Sequence, residues 1–262
     1  MNKMMMVAAA AVLSAGFAFA KEKVLVVSAH PDDAIAMAGT MYLMREKFEV
    51  HVVDLTSGQL GLGEAGRKDG STAARRAKEE AKAMAVVGAT AHLLDFPDGS
   101  LYASEAVCAK IAALIIELKP RAIFAMWPID THQDHSMAGT ATLKAAWLAK
   151  YRGEFYYYEE VLNSKGFVPV HYVDVSDIAD VKQRFIRCYE CQNEGDYMNR
   201  VEMEGAKARG YQSFFFGGAF HSAPYAECRT YAECFAPLAG FAVQGDRCIF
   251  TELPRREGRG KK

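Results

Sequence analysis

The chain lacks several features that would assign it at once to a common class of protein. Outside the first twenty residues, no apolar run approaches the length of a membrane span. Neither sign of charge is in excess, because 31 lysines and arginines face 32 aspartates and glutamates, so no global field favours nucleic acid or anionic lipid. GxxxxGK[ST] does not occur. The spacing GxGxxG occurs once, at Gly61-Leu62-Gly63-Glu64-Ala65-Gly66, but it neither directly follows a predicted strand nor opens a predicted helix, so no phosphate-binding glycine loop is predicted. Internal repeats are absent as well.

Residues 1–20 have the pattern of a cleavable signal peptide. Lys3 gives a short basic start, an Ala- and Met-rich stretch follows, and Ala18-Phe19-Ala20 is a small-x-small cleavage site. The alternative is an uncleaved anchor helix, but the run is near the lower length limit for crossing a bilayer. We therefore expect export to the periplasm or medium, one domain over residues 21–254 and a solvated basic tail over 255–262.

Six cysteines permit disulfides in an exported chain, and five of them lie in the last third. Pairing among Cys228, Cys234 and Cys248 is one possibility, with a connectivity that the sequence does not give. Cys188-x-x-Cys191 resembles a redox or zinc motif. However, it falls inside a predicted helix and has no second CxxC, so a structural use is favoured.

Apolar β-type runs alternate with helical patterns along the chain. Strands are predicted at 23–28, 49–55, 91–95, 121–127, 155–161 and 170–175, and helices at about 35–47, 72–87, 104–118, 136–149, 177–193 and 196–208. This alternation predicts an α/β fold, a Rossmann-like three-layer sandwich with a mostly parallel sheet. The Gly-, Phe- and Ser-rich segment 209–225 is expected to form an irregular C-terminal layer over this single domain.

Two short clusters of metal-type ligands each follow a predicted strand that is apolar without alternation. His30-Pro31-Asp32-Asp33 follows the first strand, and His132-Gln133-Asp134-His135 follows the fourth. In a doubly wound sheet these two strands are usually neighbours, and ligands bind at their carboxyl ends. His30, Asp33 and His135 are therefore predicted to hold one divalent ion. Two imidazoles and a carboxylate suit catalytic zinc, although ferrous iron remains possible.

The residues beside these ligands are candidates for proton transfer. Asp32 and Asp33 are adjacent, so one is expected to bind the metal while the other, Asp32, acts as a base on a bound water. His132 would face the developing oxyanion, and Asp134 would orient an imidazole. The chain therefore looks like a metal-dependent hydrolase. Three other histidines, His51, His92 and His171, are interpreted as structural. A role for His221 is left open.

The glycine-rich loop at 56–71 follows the second predicted strand. A long loop at that edge of the sheet is typical of a lid or a substrate wall, but it could equally be a simple connection. Both interpretations stay open at this point.

These motifs together resemble the PIG-L (LmbE-like) family of zinc-dependent de-N-acetylases, which remove acetyl groups from N-acetylglucosamine units in conjugates. The resemblance runs from about residue 23 to 149, with a weaker similarity in the later part of the chain. Its marks are Ala29-His30-Pro31-Asp32-Asp33, Thr56 with the glycine-rich loop, Arg76-x-x-Glu79 leading to Gly88, Phe96-Pro97-Asp98-Gly99, His132-x-Asp134-His135 and Ala232-Glu233-Cys234-Phe235.

The resemblance implies zinc on His30, Asp33 and His135, Asp32 as the general base and His132 as an acid or oxyanion stabiliser. It also implies that two residues, Arg76 and Asp98, contact the sugar. From the residues alone, Arg76 could be a solvated helix charge, and Asp98 lies in a Pro-Asp-Gly turn signal.

One departure from the family pattern bears on function. Family members usually carry a Glu just after the two aspartates, whereas this chain continues Ala34-Ile35-Ala36, so support for the site would come from elsewhere. The expected function is an exported zinc-dependent N-deacetylase of an N-acetylglucosamine-type sugar or glycoconjugate. The alternatives are a non-catalytic sugar-binding descendant and a hydrolase of another amide or ester. The expected partner is a small amino sugar or glycan, with no nucleic acid and no membrane span after cleavage; the oligomeric state is not predicted.

Overall fold

The computed structural model describes residues 20–61, 70–216, 225, 228–241 and 248–254. Most of the predicted signal peptide, the predicted basic tail, His221 and residues 62–69 of the glycine-rich loop lie outside the described residues. Within the described part, no helix is both long enough and apolar enough to cross a bilayer.

One mixed, mostly parallel sheet forms the centre of the domain. Its strands are β1 (Glu22–Ser28), β2 (Phe48–Thr56), β3 (Thr90–Phe96), β4 (Ala122–Met126), β5 (Glu154–Tyr158), β6 (His171–Asp174) and β7 (Ala232–Pro237), in the order β3-β2-β1-β4-β5-β7-β6. The first five are parallel, while β7 is antiparallel to both β5 and β6. The predicted α/β class with a mostly parallel sheet is confirmed.

Helices cover both faces of the sheet in two groups. The helices are α1 (Ala38–Met44), α2 (Ser71–Val87), α3 (Glu105–Leu118), α4 (Gln133–Leu148), α5 (Ala179–Ile186) and α6 (Tyr197–Phe216). Helices α3 and α4 pack against each other, and α5 packs against both α1 and α2. Their buried faces carry mainly aliphatic side chains, as expected for helices that cover a sheet.

The central strands bring the two ligand clusters together. Every residue of β4 is buried, as are Val24–Ser28 of β1, which explains why both runs are apolar without alternation. Strands β1 and β4 are paired in parallel, with Val27 opposite Ala125. The segments that follow them therefore leave the same edge of the sheet side by side.

The C-terminal third differs from its prediction in three respects. Helix α6 continues to Phe216, because Gly210 lets it approach the chain before β7: a Cβ there would lie 2.1 Å from the Thr230 carbonyl oxygen. Of the segment 209–225, which was expected to form an irregular layer, residues 209–216 belong to α6 and residues 217–224 lie outside the described residues. Strand β7, which was not predicted, lies inside the sheet between β5 and β6.

The third difference concerns the cysteines. The helix predicted at 177–193 ends at Ile186, so Cys188 and Cys191 lie in the turns that follow α5. All six cysteines are free, so the disulfide considered among Cys228, Cys234 and Cys248 is wrong. The three are buried in the packing around the C-terminal strands.

Candidate metal and catalytic site

Three of the predicted metal ligands converge at the carboxyl ends of β1 and β4. Asp33 lies between the two imidazoles: its Oδ2 is 3.3 Å from His30 Nδ1, and its Oδ1 is 3.3 Å from His135 Nε2. The ring centroids of the two histidines are 5.4 Å apart. Residues about a hundred positions apart in sequence therefore reach one point in space.

The second nitrogen of each imidazole faces a carboxylate. His30 Nε2 lies 3.0 Å from Asp98 Oδ1 and 3.3 Å from Asp134 Oδ2, and His135 Nδ1 lies 3.3 Å from Asp130 Oδ1. Carboxylates in these positions fix the ring orientation of metal-binding histidines and raise their basicity. The donor set and its surroundings therefore fit a divalent metal held by His30, Asp33 and His135.

The electrostatics of this cluster also suit a cation. Burial by itself would lower the pKa of His135, but the carboxylates of Asp33 and Asp130 raise it to about 10. Burial would raise the pKa of Asp33, but the charges of His135 and His30 hold it well below its usual range. The carboxylates thus create a negative field that attracts protons, and a metal ion can replace those protons.

Asp32 is separated from Asp33 by its backbone conformation. Its φ of 109° is in a region that L residues rarely adopt, and Asp33 then begins a short 3₁₀ helix, Asp33–Met37. Asp32 Oδ1 pairs with Arg76 Nη2 at 2.8 Å. Burial raises the pKa of Asp32 to about 6, although Arg76 opposes the shift. The two neighbouring carboxylates therefore meet different partners, as the division of roles requires.

Arg76 is buried and held by the site itself. Its guanidinium donates to the Pro31 carbonyl and pairs with Asp32. The described part of the glycine-rich loop wraps around it: a Cβ at Gly58, where φ is +61°, would lie 2.5 Å from Arg76 Nε, and one at Gly61 would lie 2.6 Å from Nη1. A side chain at either glycine would collide with the guanidinium of Arg76. This part of the loop also lines the cavity.

His132 begins helix α4 and is fixed by the helix backbone. Its Nδ1 accepts the backbone N–H of Asp134 at 3.2 Å, so a neutral ring carries its proton on Nε2. Its ring stacks on His135 with centroids 4.4 Å apart. Burial and the charge of His135 lower the pKa of His132, which favours this neutral form.

Asp134 and Asp98 connect the two halves of the cluster. Asp134 is fully buried and accepts the backbone N–H groups of Gly99 at 2.6 Å and Leu101 at 3.0 Å. Asp98 lines the cavity, but its Oδ1 faces His30 and its Oδ2 accepts the Leu60 N–H at 2.8 Å. Both aspartates therefore hold an imidazole and a loop in place.

A cavity of about 410 Å³ opens over these residues. Its outer wall comes from residues that sequence reasoning missed: Glu160, Leu162, Asn163, Gln192, Tyr197, Met198 and Glu202. Glu160 had one usable signal, its position after the end of β5, but the strand was predicted to run through residue 161. The remaining wall residues belong to no recognisable motif.

A carboxylate from β7 supports the segment that follows Asp33. Glu233 accepts the backbone N–H groups of Gly39 at 2.9 Å and Thr40 at 2.7 Å, at the start of α1. Lys182 lies 3.0 Å from the same carboxylate and donates to the Ile35 carbonyl at 2.5 Å. The segment after the metal-type cluster is therefore supported by a remote strand.

The three histidines interpreted as structural lie away from the cavity. His51 Nδ1 is 2.9 Å from His92 Nε2, between β2 and the edge strand β3. His171 packs against the rings of Tyr156 and Phe250. None of the three lines the cavity described above.

Comparisons with known proteins agree with this geometry. Residues 25–146 match the family model for GlcNAc-PI de-N-acetylase, PIG-L. The chain is 27% identical over 241 residues to a diacetylchitobiose deacetylase of Thermococcus kodakarensis, a match that covers 78% of this chain and 87% of that protein.

Two solved structures show the same fold at lower identity. N,N'-diacetylchitobiose deacetylase from Pyrococcus horikoshii has a TM-score of 0.68 and 22% identity, over 83% of this chain and 84% of that one. GalB, the 4-carboxy-2-hydroxymuconate hydratase from Pseudomonas putida KT2440, has a TM-score of 0.70 and 21% identity, over 83% and 96%. A fold shared by a deacetylase and a hydratase does not by itself fix the reaction. The sequence match over residues 25–146 confirms the resemblance drawn from the motifs: this part of the chain is similar to the PIG-L family.

Proposed function

We propose that the chain is a zinc-dependent hydrolase that removes the N-acetyl group from an N-acetylglucosamine-type amino sugar or glycoconjugate. The observation that carries the proposal is the convergence of His30, Asp33 and His135 beside Asp32 in one cavity. The relatives named as diacetylchitobiose deacetylases support the substrate class.

The metal ligands and the base have separate tasks. When bound by His30, Asp33 and His135, zinc or another divalent metal such as iron supplies a Lewis acid that polarises water and the amide carbonyl. Asp32 accepts the proton of the attacking water, and Arg76 holds one of its oxygens in place. Asp32 then returns the proton to the leaving amine, so the carboxylate is restored at the end of the cycle.

His132 is proposed to stabilise the oxyanion. Its Nδ1 is occupied by a backbone N–H, so Nε2–H is the donor left for a ligand. A neutral donor of fixed direction stabilises charge that develops on the former carbonyl oxygen without needing a proton of its own. This favours the oxyanion role over the acid role for His132.

The sugar is proposed to contact the outer wall of the cavity. Arg76 and Asp98 line the cavity but are already paired with Asp32 and His30, so they act mainly through those residues. The polar side chains of Asn163, Gln192 and Tyr197 also line the cavity and are proposed to bind sugar hydroxyls. A cavity of this size is within the range of small-molecule sites.

The test is acetate release by the zinc-loaded protein from N-acetylglucosamine, diacetylchitobiose and muropeptide fragments. We expect acetate and free amine in equal amounts from at least one of them, and none from Asp32→Ala. Bound zinc with no turnover on any amino sugar would contradict the proposal and favour a sugar-binding descendant. Turnover only on unrelated amides or esters in a wider panel would favour the other alternative.

Export is a separate proposal that rests on the sequence of residues 1–20. We expect the protein recovered from the cell envelope or medium to begin at Lys21. Intact-mass measurement checks this, with a variant carrying Ala18→Arg as the control that blocks cleavage. Recovery of the full-length chain from the cytoplasm alone would contradict export.

A further inference from the structure

A buried pair of carboxyl groups lies beneath the site and has no task in the proposed reaction. Asp54 is in β2 and Glu80 is in α2, and each residue is 1% exposed. Each carboxyl group affects the pKa of the other, as neighbouring buried groups do. Two ionised carboxylates have no hydrogen to donate, so a hydrogen bond between them requires a proton on one of them.

The hydrogen-bond donors around the pair lead to the same conclusion. The Ser28 hydroxyl donates to Asp54 Oδ1 at 2.5 Å, and the Tyr189 hydroxyl donates to Glu80 Oε2 at 2.7 Å. The other two oxygens, Asp54 Oδ2 and Glu80 Oε1, receive no N–H or O–H from the described residues. Leaving two buried carboxylate oxygens without a donor is costly, and a single proton between them satisfies both.

The charges around the pair oppose its full ionisation. Burial raises the pKa of Asp54 to about 7, and the carboxylates of Asp33 and Asp32 add to the shift while Ser28 opposes it. Burial and the charge of Asp54 raise the pKa of Glu80 well above its usual value. The other titratable groups that interact with Glu80 include Tyr158 of β5, Tyr189 and Cys188.

The pair also has a position from which it can act on the site. Glu80 is four residues after Arg76, so both side chains leave the same face of α2. Asp54 accepts a hydrogen bond from Ser28, the last residue of β1, and Ser28 is two residues before His30. Contact between Asp54 and Glu80 therefore ties the helix that carries Arg76 to the strand that leads into the metal-type cluster.

We propose that Asp54 and Glu80 share one proton at neutral pH, and that this proton-sharing pair is a positioning device that fixes α2 so that Arg76 meets Asp32. The positioning half rests on the proposed function, because it concerns the orientation of the base. The proton-sharing half concerns the folded protein alone and is tested without any substrate.

The matched variants are Glu80→Gln and Glu80→Leu. The Gln amide donates to Asp54 and its carbonyl accepts from Tyr189, so every hydrogen bond is kept without the proton. Leu fills a similar volume and leaves both partners unsatisfied. Glu79→Gln is the control, because Glu79 is also buried in α2 but meets Arg75 and the Cys191 N–H instead of a carboxyl group.

The pH dependence of unfolding tests the shared proton. Because the pKa of Glu80 is raised in the folded state, the folded protein holds more protons than the unfolded chain above the ordinary Glu pKa, and its stability falls as pH rises toward the raised value. As the pH rises above the ordinary Glu pKa, the folding equilibrium constant of the parent should therefore fall relative to Glu80→Gln by up to about tenfold per pH unit.

Infrared spectroscopy is the second test of the shared proton. The infrared carbonyl stretch of a protonated carboxyl group should be present in the parent at pH 8 and reduced in Glu80→Gln, but retained in Glu79→Gln. A difference in stability between the parent and Glu80→Gln that does not change with pH, or an unchanged infrared band, would overturn the shared proton. Neither measurement needs a substrate, so this arm and the proposed function fail separately.

The positioning half is tested on the zinc-loaded protein. Glu80→Gln should retain the parent kcat, whereas Glu80→Leu should lose about tenfold to a hundredfold in kcat at unchanged zinc content. Amide hydrogen exchange across α2 should speed up in Glu80→Leu and not in Glu80→Gln. Parent-like kcat and parent-like exchange in Glu80→Leu would overturn the positioning role, and exchange reports on it even if no substrate is found.

Discussion

The parallel strands β1 to β5 and the C-terminal section built from β6, β7, α5 and α6 contribute to one cavity in different ways. The parallel part supplies the metal-type ligands and the base from the ends of adjacent strands. The C-terminal section supplies the outer wall, including Gln192, Tyr197 and Glu202. The family match covers residues 25–146, which include both ligand clusters and strands β2 to β4 but neither β5 nor the C-terminal section. The residues of the proposed chemistry therefore come from the parallel part, whereas the wall that is proposed to bind the sugar comes from the segment after β5 and from the C-terminal section.

The two sections are also held together differently. Strands β1 and β4 are buried apolar runs, stabilised by hydrophobic contact. The C-terminal section combines an apolar core with charge pairs: Lys182 meets Glu233 in the interior, and the partly exposed Arg209 meets Glu159. Burial raises the pKa of Glu202, close to Lys182, to about 7. Apolar contacts tolerate many sequences, whereas paired buried charges depend on particular partners.

The largest effect is expected from removing a ligand in the parallel part. His135→Ala should lose the metal and reduce acetate release by at least about a thousandfold, because a bound Lewis acid is worth several kcal/mol. Metal content and acetate release are measured on the same sample, with His92→Ala as the control, since His92 lies outside the cavity. Parent-like zinc binding by His135→Ala would show that His135 of the parallel part does not bind the metal.

The next largest effect separates the base from the ligands. Asp32→Ala should keep the metal, because Asp32 pairs with Arg76 rather than with the imidazoles, yet lower kcat by about 10²- to 10⁴-fold. Zinc stoichiometry and single-turnover acetate release measure the two properties independently. Release at the parent rate would show that another group takes the proton.

A change in the C-terminal section should act on stability. Lys182→Met leaves Glu233 buried beside Glu202 without its cation and should lower the free energy of unfolding by about 3 kcal/mol. Lys82→Met is the control, because Lys82 is exposed and should change stability by less than about 0.5 kcal/mol. Equal denaturation midpoints for the two variants would show that the buried charges do not hold this section.

The smallest effect should be seen at the wall of the cavity. Gln192→Ala removes a polar side chain that lines the cavity and should raise KM by about threefold to tenfold while kcat stays near the parent value. Steady-state kinetics on the best substrate check this, with Gln183→Ala in α5 as a control on a residue that does not line the cavity. A fall in kcat at constant KM would place part of the chemistry in the C-terminal section and remove the contrast between the two.

The parallel part could be predicted from local pattern for a physical reason. Strands buried on both faces must be apolar, and the polar clusters that interrupt them mark strand ends, as at His30 and His132. The antiparallel strand β7 carries Glu233 as its second residue, and a charge inside a strand argues against burial unless a partner is known. That partner, Lys182, is 51 residues away, and no local pattern connects the two.

The α/β class, the resemblance of residues 25–146 to a family and the candidate metal ligands could be inferred from the amino-acid sequence alone. These features depend on side-chain chemistry and on patterns within short windows. The folded structure was needed to show which atoms face each other: Asp32 with Arg76, Asp54 with Glu80, and Glu233 with the start of α1. Such contacts follow from how distant elements pack, and the free energy of each depends on burial that exists only after folding.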